Sequence, residues 1–318
     1  MNLAFVIRNN TSDGFGHISR VREFIQAILS IKLQTTKVTV IVDNGYDNKH
    51  FELLNKLDFR EKVSQVLVYE GGENTFESQS QFDFVFFDCL SVHEKLLSQL
   101  LMNSQIAVSI SPIFEYNSLM KHIFSRGPIA DPEKIDSESV SVHQNSKFSV
   151  FRNLKICKAD VGSNVRLIFH IGGLEKEALI MKLINGIDSI KRNKIFSEII
   201  VFLDGDFPGF VEEKNLDNFE FQITDIIITS GGLSYSEGAF SGLRTVNFYL
   251  NELHRHLADK SLDIYPNVSD IGVFEDSQYF FQKVNQAILM LVNDSTCISS
   301  YKECEGIRNI LKEVNCNV

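Results

Sequence analysis

The 318-residue chain is long enough for two domains, each with its own core. Its 44% hydrophobic and 23% charged residues mark a globular protein, and no apolar stretch reaches the roughly 18 residues of a membrane span. A net charge of −10 with no basic cluster excludes nucleic acid as an expected partner, and five scattered cysteines without a CxxC pair exclude structural zinc or a disulfide framework. Cysteine usage and an N-terminus that lacks a basic region and enters a strand directly predict no signal peptide and a reducing, cytoplasmic setting.

In chain order, the apolar run at 3–7 predicts a buried parallel strand. It leads into Ser12-Asp13-Gly14-Phe15-Gly16-His17-Ile18-Ser19-Arg20. Ile18, Val21, Ile25, Ile28 and Leu29 then recur at helical spacing, which predicts a helix starting near His17. A glycine turn between strand and helix lets a ligand approach the backbone, and the helix start offers N–H groups and a positive dipole end to an anion. His17 stands at that point, and imidazole is the side chain most readily used for proton transfer near neutral pH.

Further strands are predicted at 37–42, 66–69, 82–88 and 106–110, with helices near 51–57 and 93–101. This alternation predicts a parallel sheet covered on both faces. Residues 131–164 are polar and weakly patterned and read as the link between domains. A second series follows: a strand at 165–171, the Gly172-Gly173 turn, a helix to about 192, then strands at 199–203, 225–229 and 245–249. Helices are predicted at 277–292 and 299–314. The expected domains are 1–150 and 151–318, both doubly wound α/β, facing across a cleft, with the last helix a candidate to pack back on the first domain.

Ser230-Gly231-Gly232-Leu233-Ser234-Tyr235-Ser236-Glu237 repeats the strand, glycine turn and helix arrangement. Its glycines permit close approach, Ser230 and Ser234 can donate to phosphate oxygens, and Glu237 can accept from ribose hydroxyls. Gly172-Gly173 offers the same pyrophosphate a second turn. Each element also has a plain structural reading: glycines make sharp turns, Ser230 caps a helix, Glu237 is a solvated helix residue, and His17 packs at a helix start. Asp88 ends a strand and either contacts a substrate or forms a turn. Asn251 and His254 follow the last strand as possible sugar contacts or ordinary loop residues, and His170, inside an apolar run, reads as a core histidine. Gly14-x-Gly16-x-x-Ser19 with Asp43 approaches a dinucleotide fingerprint, but serine at the third position and a histidine within the loop argue against a dehydrogenase.

Arg8-Asn9-x-x-Ser12-x-Gly14-Phe15-Gly16-His17-Ile18-x-Arg20 resembles the N-terminal motif of the nucleotide-sugar hydrolases of the pseudaminic acid pathway. These are related to spore-coat polysaccharide proteins and to the N-acetylglucosaminyltransferase that makes lipid II. Ile168-x-His170-Ile171-Gly172-Gly173 and Ser230-Gly231-Gly232-x-Ser234-x-x-Glu237-x-x-x-x-Gly242 resemble two later segments of that family. The resemblance implies a GT-B fold of two Rossmann-like domains. It assigns His17 as the catalytic acid/base, and Asn9, Ser12, Gly14, Gly16 and Arg20 to the N-domain loop. Gly172, Gly173, Ser230, Gly231, Gly232 and Ser234 would hold the pyrophosphate, Glu237 the ribose, and Asn251 would lie near the sugar. Asn9 stands where the family usually has aspartate, and 204–224 is short for the usual helix and strand. The expected function is metal-independent, cofactor-free cleavage of the anomeric C–O bond of a nucleotide sugar, UDP-linked, in surface-glycan biosynthesis. Water is the favoured nucleophile. A glycan or lipid-linked acceptor would make the chain a glycosyltransferase, and a non-catalytic sugar-nucleotide-binding protein is the alternative of another class.

Overall fold

The computed structural model describes all residues except 9–15, 31–35, 44–62, 70–80, 128, 130–131, 158–164, 172–175, 188–194, 203–204, 253–254, 256–266, 294–304 and 316–318. The chain forms two compact units, Met1–Val150 with Glu305–Val318, and Phe151–Cys304. The helix expected at 51–57 lies outside the described residues. Among the described residues no helix is long and apolar enough to cross a membrane.

In the first unit, seven strands pair in parallel: β1 (Asn2–Arg8), β2 (Lys37–Asp43), β3 (Gln65–Tyr69), β4 (Phe82–Asp88), β5 (Ser104–Ser109), β6 (His122–Ser125) and β7 (Ser141–Gln144). Their order is β3-β2-β1-β4-β5-β6-β7, so the order reverses between β1 and β4. Neighbouring residues of β1 feed opposite cores, because successive strand side chains point to opposite faces. Leu3, Phe5 and Ile7 pack on one side with Ile18, Val21, Phe24, Ile25 and Ile28 of α1 (Gly16–Ser30). Ala4 and Val6 pack on the other with Leu96, Leu97 and Leu100 of α2 (Glu94–Met102). That is why both β1 and β4 read as continuous apolar runs rather than as alternating ones. Phe5 stacks on Phe86 across the strands at 5.0 Å, and Phe24 of α1 closes on Phe5 at 5.6 Å. Each such buried side chain contributes about 1.5–3 kcal/mol.

β6 and β7 were not legible in the sequence, and β7 falls within the stretch read as a polar link. Each has four residues, and β7 is largely exposed at the sheet edge, so neither shows a hydrophobic period. Near the end of the chain, α6 (Gly306–Glu313) joins the first unit, with Ile307, Ile310 and Leu311 in the α1 core.

The second unit repeats the plan. Its sheet is ordered β11-β10-β9-β13-β14-β15, from β9 (Val165–His170), β10 (Phe196–Val201), β11 (Val211–Glu213), β13 (Ile226–Thr229), β14 (Arg244–Tyr249) and β15 (Val268–Val273). The order reverses between β9 and β13. One face packs on α3 (Lys176–Gly186) and α5 (Gln278–Asn293). The other face is closed by α4 (Gly232–Phe240) and by a two-stranded parallel pair, β8 (Ile156–Cys157) with β12 (Phe221–Gln222), whose Phe221 packs with Phe219, Ile168, Ile200 and Ile227. The segment read as too short for a helix and a strand supplies β11 and β12, and shows no α-helix among its described residues. β11 pairs with β10 through Ile199 and Val211, and the Val211 N–H donates to the Pro208 carbonyl in the turn before it.

Candidate functional site

In the first unit the site grows from the reversal between β1 and β4, the position at which open α/β sheets form a crevice. The helix expected near His17 begins at Gly16. His17 is therefore on its first turn, and Asp88 is the last residue of β4, paired in register with Ile7 of β1. The His17 ring is 6% exposed and Asp88 is fully buried. His17 Nδ1 lies 2.6 Å from Asp88 Oδ1. Arg20, one turn further along α1, donates from Nε to Asp88 Oδ2 at 2.8 Å and from its terminal nitrogen to Oδ1 at 2.6 Å.

The protonation state follows from this network. Burial pushes the Asp88 carboxyl up, but the Arg20 and His17 partners outweigh it and hold the carboxyl below the usual carboxylate range. An ionised carboxylate only accepts, so the proton between the two groups sits on Nδ1. In the neutral ring Nε2 then carries the lone pair, which is the arrangement of an oriented general base. Arg20 also approaches Nδ1 at 2.9 Å, because its terminal nitrogen and that of the ring converge on the same carboxylate oxygen.

Two sequence expectations change here. Asp88 is no sugar contact: it has no exposed surface, and both its oxygens are bound by His17 and Arg20. Arg20 sits on α1 rather than in a loop and pairs with that carboxylate. Asn9, Ser12 and Gly14 lie outside the described residues.

In the second unit, β13 ends at Thr229 and α4 begins at Gly232. Between them Gly231 has φ 77° and ψ −167°, and Gly232 has φ 66°. The first conformation is confined to glycine, so this turn demands glycine at that position. The Gly231 N–H donates to Asn247 Oδ1 at 2.9 Å, and the Thr229 hydroxyl donates to the same oxygen at 3.0 Å. Ser234 donates to the Gly231 carbonyl at 3.2 Å and is 4% exposed. Gly231 and Ser234, read as phosphate donors, thus spend these groups on shaping the turn. Ser230 is 4% exposed at the end of the strand.

Glu237 also departs from its reading as a free ribose ligand. It is 6% exposed, its Oε2 lies 2.5 Å from His170 Nε2, and its Oε1 accepts from the Arg152 N–H at 3.4 Å. His170 ends β9, so it is the satisfied histidine expected, with Glu237 as its partner. Asn251 is exposed beyond β14. Gly172, Gly173 and His254 lie outside the described residues. Asn247 was missed by the sequence reading. Its signal was an asparagine inside an apolar strand run, a residue type that strands disfavour.

Two all-parallel Rossmann-like units, each with a glycine turn or helix start at its strand reversal, define the GT-B fold class. Among solved structures the chain is similar to the UDP-GlcNAc 2-epimerase of Neisseria meningitidis bound to UDP-GlcNAc, at 13% identity over 100% of both chains with a TM-score of 0.54. It is likewise similar to the UDP-GlcNAc 2-epimerase of Methanocaldococcus jannaschii, at 10% identity, 100% coverage of both chains and a TM-score of 0.54. The lipopolysaccharide outer core galactosyltransferase WaaB aligns at 11% identity over 100% of both chains with a TM-score of 0.51. No family model matches the chain, and no curated protein matches it by sequence. At such identities the likeness establishes the fold and leaves the reaction to the site.

Proposed function

We propose that this chain is an enzyme that cleaves the anomeric C–O bond of a UDP-linked sugar, with His17 as the general base. The observation that carries the reading is the His17 ring, held through Nδ1 by the buried Asp88 carboxylate at the strand reversal of the first unit. A ring fixed in this way keeps one tautomer and presents Nε2. In the reaction, Nε2 takes the proton of an attacking hydroxyl, the hydroxyl oxygen bonds to the anomeric carbon, and the C–O bond to phosphate breaks. UDP departs with the electron pair. A diphosphate leaving group needs charge stabilisation more than a proton. Within the second unit, the start of α4 beyond Gly231 is the element suited to bind a diphosphate. The UDP-GlcNAc held by a protein of the same fold supports a UDP-linked donor.

Water as the nucleophile makes the enzyme a hydrolase, in keeping with the resemblance of the Gly14-x-Gly16-His17 segment to the pseudaminic acid pathway hydrolases. Transfer to a sugar hydroxyl is the second reading, favoured by the galactosyltransferase among the similar structures. The test is UDP release from a panel of UDP-sugars, with and without acceptors, by wild type and His17→Ala. The expected result is release without acceptor, lowered about 10²–10⁴-fold in the variant with UDP affinity kept. Release that requires an acceptor selects the transferase. Equal rates in the variant refute the role of His17, and turnover by neither protein with UDP-sugar binding intact selects a binding protein.

A further inference from the structure

Beside the turn that receives α6, the first unit holds two histidines that the proposed reaction does not use. His122 and Phe124, two apart on β6, share one face of the sheet, and His143 of β7 pairs in register with Phe124. The His143 ring stacks on Phe124 at 4.4 Å and meets Phe148 edge-on at 5.7 Å. His122 Nδ1 lies 3.2 Å from His143 Nε2, with the ring centres 5.5 Å apart. The chain then turns through Ser146–Phe148, and α6 docks there. Asn309 donates to the Lys147 carbonyl at 2.8 Å, and Lys147 Nζ lies 3.5 Å from Glu313 Oε1. Phe124 and Phe148 share the α1 core with Ile307, Ile310 and Leu311 of α6. The histidine pair therefore stands at the corner where the returning end of the chain is fastened.

A hydrogen bond between two imidazoles needs one N–H and one lone pair. The outer nitrogens, His122 Nε2 and His143 Nδ1, have no hydrogen-bond partner among the described residues, and both side chains are half-buried, so protons reach them. A first proton enters at the outer nitrogen of the donor ring, and the bond becomes a stronger, charge-assisted N–H···N contact. A second can enter only at the lone pair that accepts the bond. It leaves two N–H groups facing each other 3.2 Å apart on adjacent cations. The other charges that face the rings among the described residues are Lys121, Lys147 and Glu313, so one carboxylate then stands against four cations.

We propose that His122 and His143 form an acid-sensitive clasp: neutral or singly protonated, the pair keeps β7 and the following turn in place to hold α6, and doubly protonated it releases that helix. Burial pushes the His122 ring below the ordinary histidine range, and His143 and Lys121 add to this against Glu313. Burial lowers His143 as well, with Glu313 opposing and Lys147 adding. The unfolded chain thus binds these protons more readily. The stabilisation is complete above about pH 7.5 and is lost as pH falls through about 6.5 towards the lower folded-state values. α6 shares its core with α1, whose first turn carries His17, so an open clasp also loosens the helix that bears the base. The clasp itself does not depend on the reaction assigned to His17.

The test is amide hydrogen exchange of the full chain at about pH 7.5 and about pH 5.5, read as protection factors, which remove the intrinsic effect of pH on exchange. α2, packed on the opposite face of the sheet, is the internal reference. The Asp88 carboxylate is ionised at both values and adds nothing to the difference. Protection of 306–313 should fall at least about tenfold relative to α2 on acidification and return at neutral pH. His143→Phe keeps a ring against Phe124 but takes no proton, and should lose most of this fall. Adding His122→Gln should remove the rest. Unchanged α6 protection in the wild type, a fall shared equally by α2, or an undiminished fall in both variants overturns the proposal.

Discussion

The Asp88 carboxylate offers the sharpest test of the His17 site, through Asp88→Asn. The change keeps volume and shape but removes the charge that His17 Nδ1, Arg20 Nε and the Arg20 terminal nitrogen all address at 2.6–2.8 Å. Breaking a buried pair on one side costs about 3–5 kcal/mol. The Arg20 side chain keeps 20% exposure and regains some hydration, so the lower end, about 3 kcal/mol, is expected. In a domain of this size that lowers Tm by roughly 6–12 °C. The chain has no tryptophan, so urea melts followed by far-ultraviolet circular dichroism are the suitable assay. The sign with pH follows from the lowered carboxyl. The unfolded chain binds the proton more readily, so this stabilisation is complete above about pH 4 and fades as pH falls through the lower folded-state value. The gap between wild type and variant should therefore be widest at neutrality and shrink in acid. Turnover should fall about 10²–10⁴-fold, because the imidazole loses the partner that fixes its tautomer. An unchanged melting midpoint at neutrality, or a gap of constant size down to about pH 3, would refute the assigned network.

Gly231→Ala should destabilise by about 1–3 kcal/mol, since a side chain at φ 77° and ψ −167° is strained, and should weaken UDP binding measured by calorimetry. Asn247→Ala removes one acceptor shared by the Thr229 hydroxyl and the Gly231 N–H, and a loss of about 2 kcal/mol in urea melts is expected. Gly306→Ala would put a Cβ 1.7 Å from the Ser149 carbonyl oxygen, so α6 must shift at a cost of about 1–3 kcal/mol or more, readable as faster amide exchange in that helix. Gly209→Ala, by contrast, meets nothing within 4 Å and should leave the melting curve unchanged.

The strands that build the two reversals were legible because they are buried on both faces. The prediction at 82–88 coincides with β4, and the helix expected near His17 begins at Gly16. What escaped was long-range or short. Asp88 and Glu237 each had a plausible solvent-facing role in the sequence, and only folding brings them to histidines 71 and 67 residues away. Pairing at such separations leaves no local period to read. β6, β7, β8, β11 and β12 span two to four residues each, below the length at which alternation or propensity gives a signal, and β15, six residues long, escaped because Ser269, Asp270 and Gly272 interrupt its apolar run. The same long-range economy decided the glycine turn: its residues were noticed, but the asparagine that holds it came from the next strand.

The chain leaves the first unit after Val150 and rejoins it at Glu305. On a ribosome, the whole of the second unit emerges while the first still lacks Ile307, Ile310 and Leu311. The lobe begun first is thus finished last, and its α1 flank waits with apolar surface uncovered through roughly half of translation. Chaperone demand during synthesis should accordingly fall on the N-terminal portion, although every strand of that sheet has long since been made.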